Sequence, residues 1–336
     1  MVNDHSVFNN MLLISDLSVN LRNIINFNAA LNETAFPELD KCNFTAQHGP
    51  LNYTPEGFDQ PVELPKSIAQ VVYRTDTGQP LGRTGGRYGI AQNTDVQDVL
   101  VEALERALPS NYLKGIELNE ETSNNGGFSK FTYTFPSAAE PIRQLRDATG
   151  YAADRYGEKH KETWLNMSFS MINSFDGSTP LILQNEVIDV SCANSLTTGY
   201  MDTSKMRHST KINPAMFTDW ITEQAGNFKQ RIDVFNQWAA RSITPEQAEQ
   251  TLLDAGLSPR LTKQMLEQFE LECDRRGRSV WSLASSMTFW SSHSSEKFTV
   301  RGSKNSDNVA KSLHNRQGQV LKVMNSEAWS EIARAA

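Results

Sequence analysis

The chain has 336 residues, with 32 Lys plus Arg against 39 Asp plus Glu, a formal net charge of -7 at pH 7. That length holds one large domain or two ordinary ones, and the charge excludes a uniformly basic, histone-like binder of polyanions. Three cysteines, Cys42, Cys192 and Cys273, stand far apart with no CxxC pair, a usage that fits neither a disulfide framework nor a zinc ribbon and points to a reducing cytosol.

Residues 1–10 hold Asp4 and no Lys or Arg, and the apolar run beside them, Met11 to Ile14, is four residues long. Neither a signal peptide nor a membrane span is expected. Residues 1–64 are rich in Asn and interrupted by Pro37, Pro50, Pro55 and Pro61; they read as a partly irregular N-terminal arm with one helical stretch around Leu12 to Leu31. From Ser67 to Arg83 the order is strand, turn, strand. Val96, Val99, Leu100, Ala103, Leu104 and Ala107 repeat at helical spacing, with Thr94 or Asp95 as the expected cap and Pro109 as the stop. Gly115 to Leu118 and Phe128 to Phe135 read as strands, the second with an aromatic face made by Phe131, Tyr133 and Phe135. Thr163 to Asn173 and Leu181 to Val190 form the next pair of strands across the turn Ser174-Phe175-Asp176-Gly177-Ser178, because Asp-Gly tolerates the positive φ of a tight turn. After Pro214 the pattern turns helical: one stretch carries Phe217 to Trp238, a second starts at Thr244-Pro245-Glu246-Gln247, a third at Ser258-Pro259, and a last runs from Val280 to His293. The predicted fold is α+β, an antiparallel sheet core (65–213) with inserted helices, a helical part (214–295) packed on it, and a basic C-terminal tail (296–336) with a short terminal helix.

Charge is segregated along this layout. Residues 1–66 carry three basic residues (Arg22, Lys41, Lys66) against eight acidic ones, while 275–322 carry nine basic residues against Glu296 and Asp307. Such asymmetry points to a nucleic-acid surface, to self-association between opposite ends, or simply to solvated faces.

Several familiar constellations are missing. Gly82-Arg83-Thr84-Gly85-Gly86-Arg87 has glycines but no Gly-Lys-Ser/Thr, and neither GxGxxG nor Gly-x-Ser-x-Gly occurs. The six histidines show no metal-binding spacing, so no metal and no cofactor is expected. Two clusters remain. In the first, Arg83 and Arg87 flank glycines before Tyr88, which suits close approach of a phosphate chain beside an aromatic ring, or else a hairpin with exposed arginines. The second spans Asn173 to His208 and holds Asp176, Cys192, Asn194, Lys205, Arg207 and His208. A nucleophilic enzyme would use Cys192, with His208 as base and Asp176 or Asn194 orienting it; a buried, inert Cys192, a tight turn at Asp176 and a helix cap at Asn194 are the plainer alternatives.

Leu81-Gly82, Arg87-Tyr88 and Gln92-Asn93, then Asn173 to Ser178, Cys192-Ala193-Asn194-Ser195-Leu196, Arg207-His208-Ser209, Trp281, Met287-Thr288 and Ser292-His293 together resemble a phage/plasmid-like protein family, the domain of unknown function 932, over roughly residues 65 to 295. Ser195 and Ser209 stand where the family pattern usually has Thr; both keep a hydroxyl. The resemblance implies handling of mobile or replicating DNA in the cytoplasm of an infected bacterial host. By analogy of fold with single-strand annealing proteins it also implies a homo-oligomer with a basic groove. The expected function is then single-stranded nucleic-acid binding in recombination or replication, non-enzymatic, through Arg83, Arg87, Tyr88, Lys205, Arg207, His208 and Lys211, with no membrane partner. The alternatives are an enzyme using Cys192, His208, Asp176 and Asn194, and a scaffold or inhibitor that binds a host protein.

Overall fold

A computed structural model describes residues 36–143, 162–189, 194–196, 203–208, 215–293 and 309–334. The helix expected around Leu12 to Leu31 lies outside the described residues, as do Cys192 and Lys211.

Six strands form the larger sheet: β6 (Glu117–Ser123), β7 (Phe128–Arg143), β8 (Glu162–Ser174), β9 (Leu181–Asp189), β10 (Asn194–Leu196) and β11 (Thr203–Met206). Their order is β10-β9-β8-β7-β6, with β11 also pairing on β9, and every pairing is antiparallel. The β7–β8 register shifts between Phe135 and Glu140, an irregularity of the kind that bends a long hairpin. A smaller sheet is built from β1 (Ala46–Gly49), β4 (Gln70–Arg74) and β5 (Pro80–Thr84), and β2 (Asn52–Tyr53) pairs with β3 (Val62–Glu63). The small sheet has its own core of Phe44, Ala46, Val72, Leu81 and Phe175, capped by the Arg74 guanidinium 4.1 Å from the Phe44 ring centre. Strand β1 thus belongs to a sheet, although it lies in the segment expected as an arm.

The first helix, α1 (Asn93–Ala107), starts earlier than its sequence predicts: Gln92 occupies the N-cap, and Thr94 and Asp95 fall within the first turn. The Gln92 amide makes no cap hydrogen bond; instead it accepts from the Ala46 N–H and donates to the Ala46 carbonyl, both at 2.9 Å, tying the helix start to the small sheet.

Helices α2 (Ala215–Gly226), α3 (Phe228–Ala240), α4 (Pro245–Asp254), α5 (Pro259–Arg276) and α6 (Val280–His293) follow. The Thr244–Gln247 capping box forms with both of its hydrogen bonds, and Ser258 caps α5. Within the segment expected as a tail, the chain forms α7 (Val309–Met324) and α8 (Glu327–Ala333). The main core joins the aromatic face of the large sheet, where Phe131, Tyr133, Phe135 and Phe169 are fully buried, to α1 and the C-terminal helices. Its centre is a chain of rings: Trp281 lies 5.1 Å from Phe235, Phe235 5.4 Å from Trp238, and Trp238 5.2 Å from Trp329. Burying each such ring fully contributes about 1.5–3 kcal/mol. The architecture is α+β, with antiparallel sheets first and helices in the C-terminal part. Among the described residues no helix is long and apolar enough to cross a membrane.

Candidate functional site

The two sequence clusters meet in space. After β5 the chain turns through Gly85-Gly86, closed by the Tyr88 N–H donating to the Gly85 carbonyl at 3.0 Å, and this presents Arg87 to solvent with Tyr88 behind it. The Tyr88 hydroxyl donates to the Ser174 carbonyl, and its ring lies 4.7 Å from the His208 ring at 33°. On the other side, His48 of β1 donates from Nε2 to the Tyr88 carbonyl at 3.0 Å. His208 donates from Nε2 to the Thr179 carbonyl at 3.1 Å; a carbonyl only accepts, so both imidazoles carry their proton on Nε2. Burial holds the His208 imidazole below its ordinary range, only partly offset by the Thr179 hydrogen bond and the Asp176 charge.

The turn between β8 and β9 fills the space below. Gly177 takes φ 71°, the left-handed region an Asp-Gly turn needs. Gly82 on β5 runs so close to this turn that an added Cβ would overlap the Asp176 backbone. Asp176 accepts from the Ser174 hydroxyl at 2.9 Å and from the Ser178 N–H at 2.8 Å, and pairs with Lys311 of α7 at 3.1 Å. Burial alone would raise its carboxyl, but the Ser178, Lys311 and Ser174 hydrogen bonds outweigh it and hold the group below the ordinary value.

Around this junction four cations stand exposed: Arg83 and Arg87 from the β5 side, Lys205 and Arg207 from β11 and its end. None of the four side chains makes a hydrogen bond or ion pair among the described residues, in contrast to Lys311 and Asp176. Tyr88, by comparison, is half-buried, with its hydroxyl and one ring face engaged within the chain.

A family model for a domain of unknown function, DUF932, matches residues 80–316. The chain belongs to the DUF932 family. No curated protein and no solved structure matches it.

The DUF932 span starts at the first residue of β5 and ends within α7, so it includes Tyr88, Asp176, His208 and Lys311 and leaves out β1 and His48. Several residues that carry the family resemblance serve the fold. Asn93 donates to the Cys42 carbonyl at 3.1 Å and to Ser129 at 3.3 Å; Asn173 donates to Asn93 and to the Ala91 carbonyl, each at 2.8 Å. Together they fasten the start of α1 to the sheet. Asn194 does not cap a helix; it opens β10 opposite Asp189. Of the residues expected in an enzymatic relay, Asp176 bonds with Ser174, Ser178 and Lys311 and His208 gives its Nε2 proton to the Thr179 carbonyl; the expected nucleophile, Cys192, lies outside the described residues. The described residues hold no group of three or more His, Cys, Asp or Glu fit for a metal ion. Cys42 is fully buried, and burial with the nearby Glu120 charge pushes its thiol up to about 12, far from a reactive thiolate.

Sequence reasoning missed a second polar cluster within the family span. On the sheet face opposite the aromatic one, the register lines up Thr132, Ser170 and Gln184, and beside them Thr134, Ser168 and Glu186, all buried. Lys130 pairs with Glu186 at 2.8 Å, with side-chain exposures of 3% and 1%, and Gln184 donates to the same carboxylate. Helix α7 closes over this face through Gln317, 3.5 Å from the Lys130 ammonium, and His314, whose ring lies 5.8 Å from Phe128. Burial, then the Lys130 charge, holds His314 below the ordinary histidine range, and burial raises the carboxyl of Glu121.

Proposed function

We propose that the chain binds single-stranded nucleic acid and serves recombination or replication of mobile DNA without chemistry of its own. One observation carries the reading: Arg83, Arg87, Lys205 and Arg207, which come from segments over a hundred residues apart, are exposed beside a single tyrosine-histidine junction, and their side chains pair with nothing among the described residues. A strand binder needs cations that track the phosphates, with aromatic faces beside them. The junction supplies the cations and, in the outer parts of Tyr88 and His208, a limited aromatic surface. A cation-lined surface also reconciles strand binding with a net charge of -7, since local potential and not the total governs approach.

The test is fluorescence anisotropy of a labelled oligothymidylate across a salt series. Binding weakens linearly on a log scale with salt, with a slope of about 0.7 per phosphate contacted. The double variant Arg87→Glu with Arg207→Glu loses most of the affinity and flattens the slope. Undetectable binding at low salt, or binding indifferent to both the salt and the double variant, would sink the proposal.

A further inference from the structure

Between β1 and β4 the chain leaves the small sheet at Gly49 and returns at Gln70, and of the residues between them only Ala69 is buried. The regular part of this excursion is the hairpin of β2 and β3, two residues each, which pairs Asn52 with Glu63 and Tyr53 with Val62. A two-stranded hairpin by itself is marginal in water and needs a surface to pack on. Of the seven large apolar side chains that stand exposed among the described residues, four belong to the excursion: Tyr53, Phe58, Val62 and Ile68. Tyr53 and Val62, directly opposite one another, share one face of the hairpin, and Phe58 in its closing loop is 67% exposed. Apolar side chains gathered in this way mark an interaction surface, and aromatic ones are enriched in the interfaces between proteins.

Charge identifies what the surface faces. The excursion carries Glu56, Asp59 and Glu63 against Lys66 alone, all exposed, and the three carboxylates pair with no cation among the described residues. Such a surface repels a phosphate chain and attracts a basic partner. Its root lies beside cations of its own chain. An added Cβ on Gly86 would overlap the Lys66 carbonyl and the Ser67 backbone, next to Arg87, and Gly49 stands in register with Val71 and Arg83 across the small sheet. An acidic, aromatic hairpin and two unengaged arginines therefore share one end of that sheet. A two-fold axis joins one patch to itself, so two copies can set each hairpin against the arginines of the other.

We infer that residues 50–69 dock a second copy of this chain, with the carboxylates of each hairpin facing Arg83 and Arg87 of the other copy and Tyr53 and Phe58 as the apolar anchors. The excursion together with the arginine turn supplies about the 20–30 residues a side of a standard interface. Pairing and strand binding then compete for the same arginines.

The experiment is sedimentation of the full chain over a micromolar concentration series, at low and at high salt. The expected result is a monomer–dimer equilibrium that weakens as salt rises, because opposite charges across an exposed interface are screened. Tyr53→Ser with Phe58→Ser, both at exposed positions, weakens the dimer at least about tenfold. Charge exchange tests the complementarity. A chain with Glu56→Lys, Asp59→Lys and Glu63→Lys, and another with Arg83→Glu and Arg87→Glu, are each monomeric alone, and an equal mixture of the two forms a heterodimer. A wild-type chain that stays monomeric into the high micromolar range, a dimer unmoved by Tyr53→Ser with Phe58→Ser, or a mixture that stays monomeric would overturn the inference. The oligothymidylate assay keeps pairing apart from strand binding. The chain with Tyr53→Ser and Phe58→Ser retains Arg83 and Arg87 and binds the strand at least as well as wild type; a loss of strand affinity would instead assign the hairpin to stacking bases and overturn the pairing. A wild-type chain that binds no strand leaves the sedimentation result standing, so each proposal can fail without the other.

Discussion

Lys130 and Glu186 offer the sharpest test of how the sheet is held, because they are an ion pair in a place where ions are costly. The pair is 2.8 Å long and its side chains are 3% and 1% exposed. Attraction across such a distance is strong where water is excluded, but the desolvation of both groups offsets much of it. The net worth of the pair is therefore small, whereas the cost of removing one member is large. Lys130→Met leaves the Glu186 carboxylate buried without its cation and with the Gln184 amide as a neutral donor. The expected loss is about 3–5 kcal/mol, as for other buried pairs broken on one side. At about 2 °C per kcal/mol for a chain of this size, Tm falls by roughly 6–10 °C. Glu186→Leu falls by a similar amount, for it strands the ammonium with Gln317 at 3.5 Å. Combining Lys130→Met with Glu186→Leu removes both charges, so the double variant should recover to within about 2 kcal/mol of wild type. Urea unfolding followed by tryptophan emission, run as a double-mutant cycle, gives the coupling directly. Single variants within about 1 kcal/mol of wild type, or a double variant as unstable as the sum of the singles, would refute the reasoning.

Three further outcomes follow from the junction and from α7. Tyr88→Phe leaves the Ser174 carbonyl without its hydroxyl donor and should cost about 1–3 kcal/mol in the same unfolding assay; a neutral variant would mean that the contact contributes nothing. Gly82→Ala forces a methyl onto the Asp176 backbone, so it should cost at least as much as overpacking a core, about 1–3 kcal/mol, and lower strand affinity too; wild-type stability in this variant would show that the turn and β5 are not in contact. His314 is held below its ordinary value of 6.5 by burial first and by Lys130 second. Its folded pKa lies below its unfolded one, so as pH falls below about 6.5 the unfolded chain takes up more protons and stability drops. In His314→Gln the decline of Tm with acid should be shallower, and a slope identical to wild type would exclude the histidine as a contributor.

Much of the fold was legible because its periodicities are local. The aromatic face of Phe131, Tyr133 and Phe135, the Asp176-Gly177 turn, the Thr244–Gln247 box and the apolar α6 all repeat or cap within a few residues of themselves. Helix α1 was legible in its apolar face but not at its start, since the Gln92 amide that sets the start answers to Ala46, 46 residues away. The buried polar stripe was half visible: Lys130, Thr132 and Thr134 alternate with the aromatics, which on a two-faced strand reads as the solvent side. That α7 would close over it depends on contacts such as Lys130 to Gln317, 187 residues apart, and no window of sequence carries them. The convergence of Tyr88 with His208 was invisible for the same reason, although each residue had been singled out by itself.

The residues that carry the family resemblance divide according to what the fold asks of them. Asn93 donates to the Cys42 carbonyl and the Ser129 hydroxyl, Asn173 donates to the Ala91 carbonyl and to Asn93, and Asp176 accepts from three sides; a chain needs these groups simply to hold α1, β5 and the β8–β9 turn together. Arg87 and Arg207 sit in the same motifs, next to half-buried rings, and the fold uses neither guanidinium among the described residues. An exposed arginine left out of every internal contact adds little to stability, so substituting it should move Tm by no more than about 0.5 kcal/mol's worth. The amides and the arginines therefore predict opposite phenotypes within one motif set: Asn93→Ala and Asn173→Ala lose stability first, while Arg87→Glu and Arg207→Glu keep the fold and lose the ligand. That opposition is what distinguishes a surface that binds from a sequence pattern that merely folds.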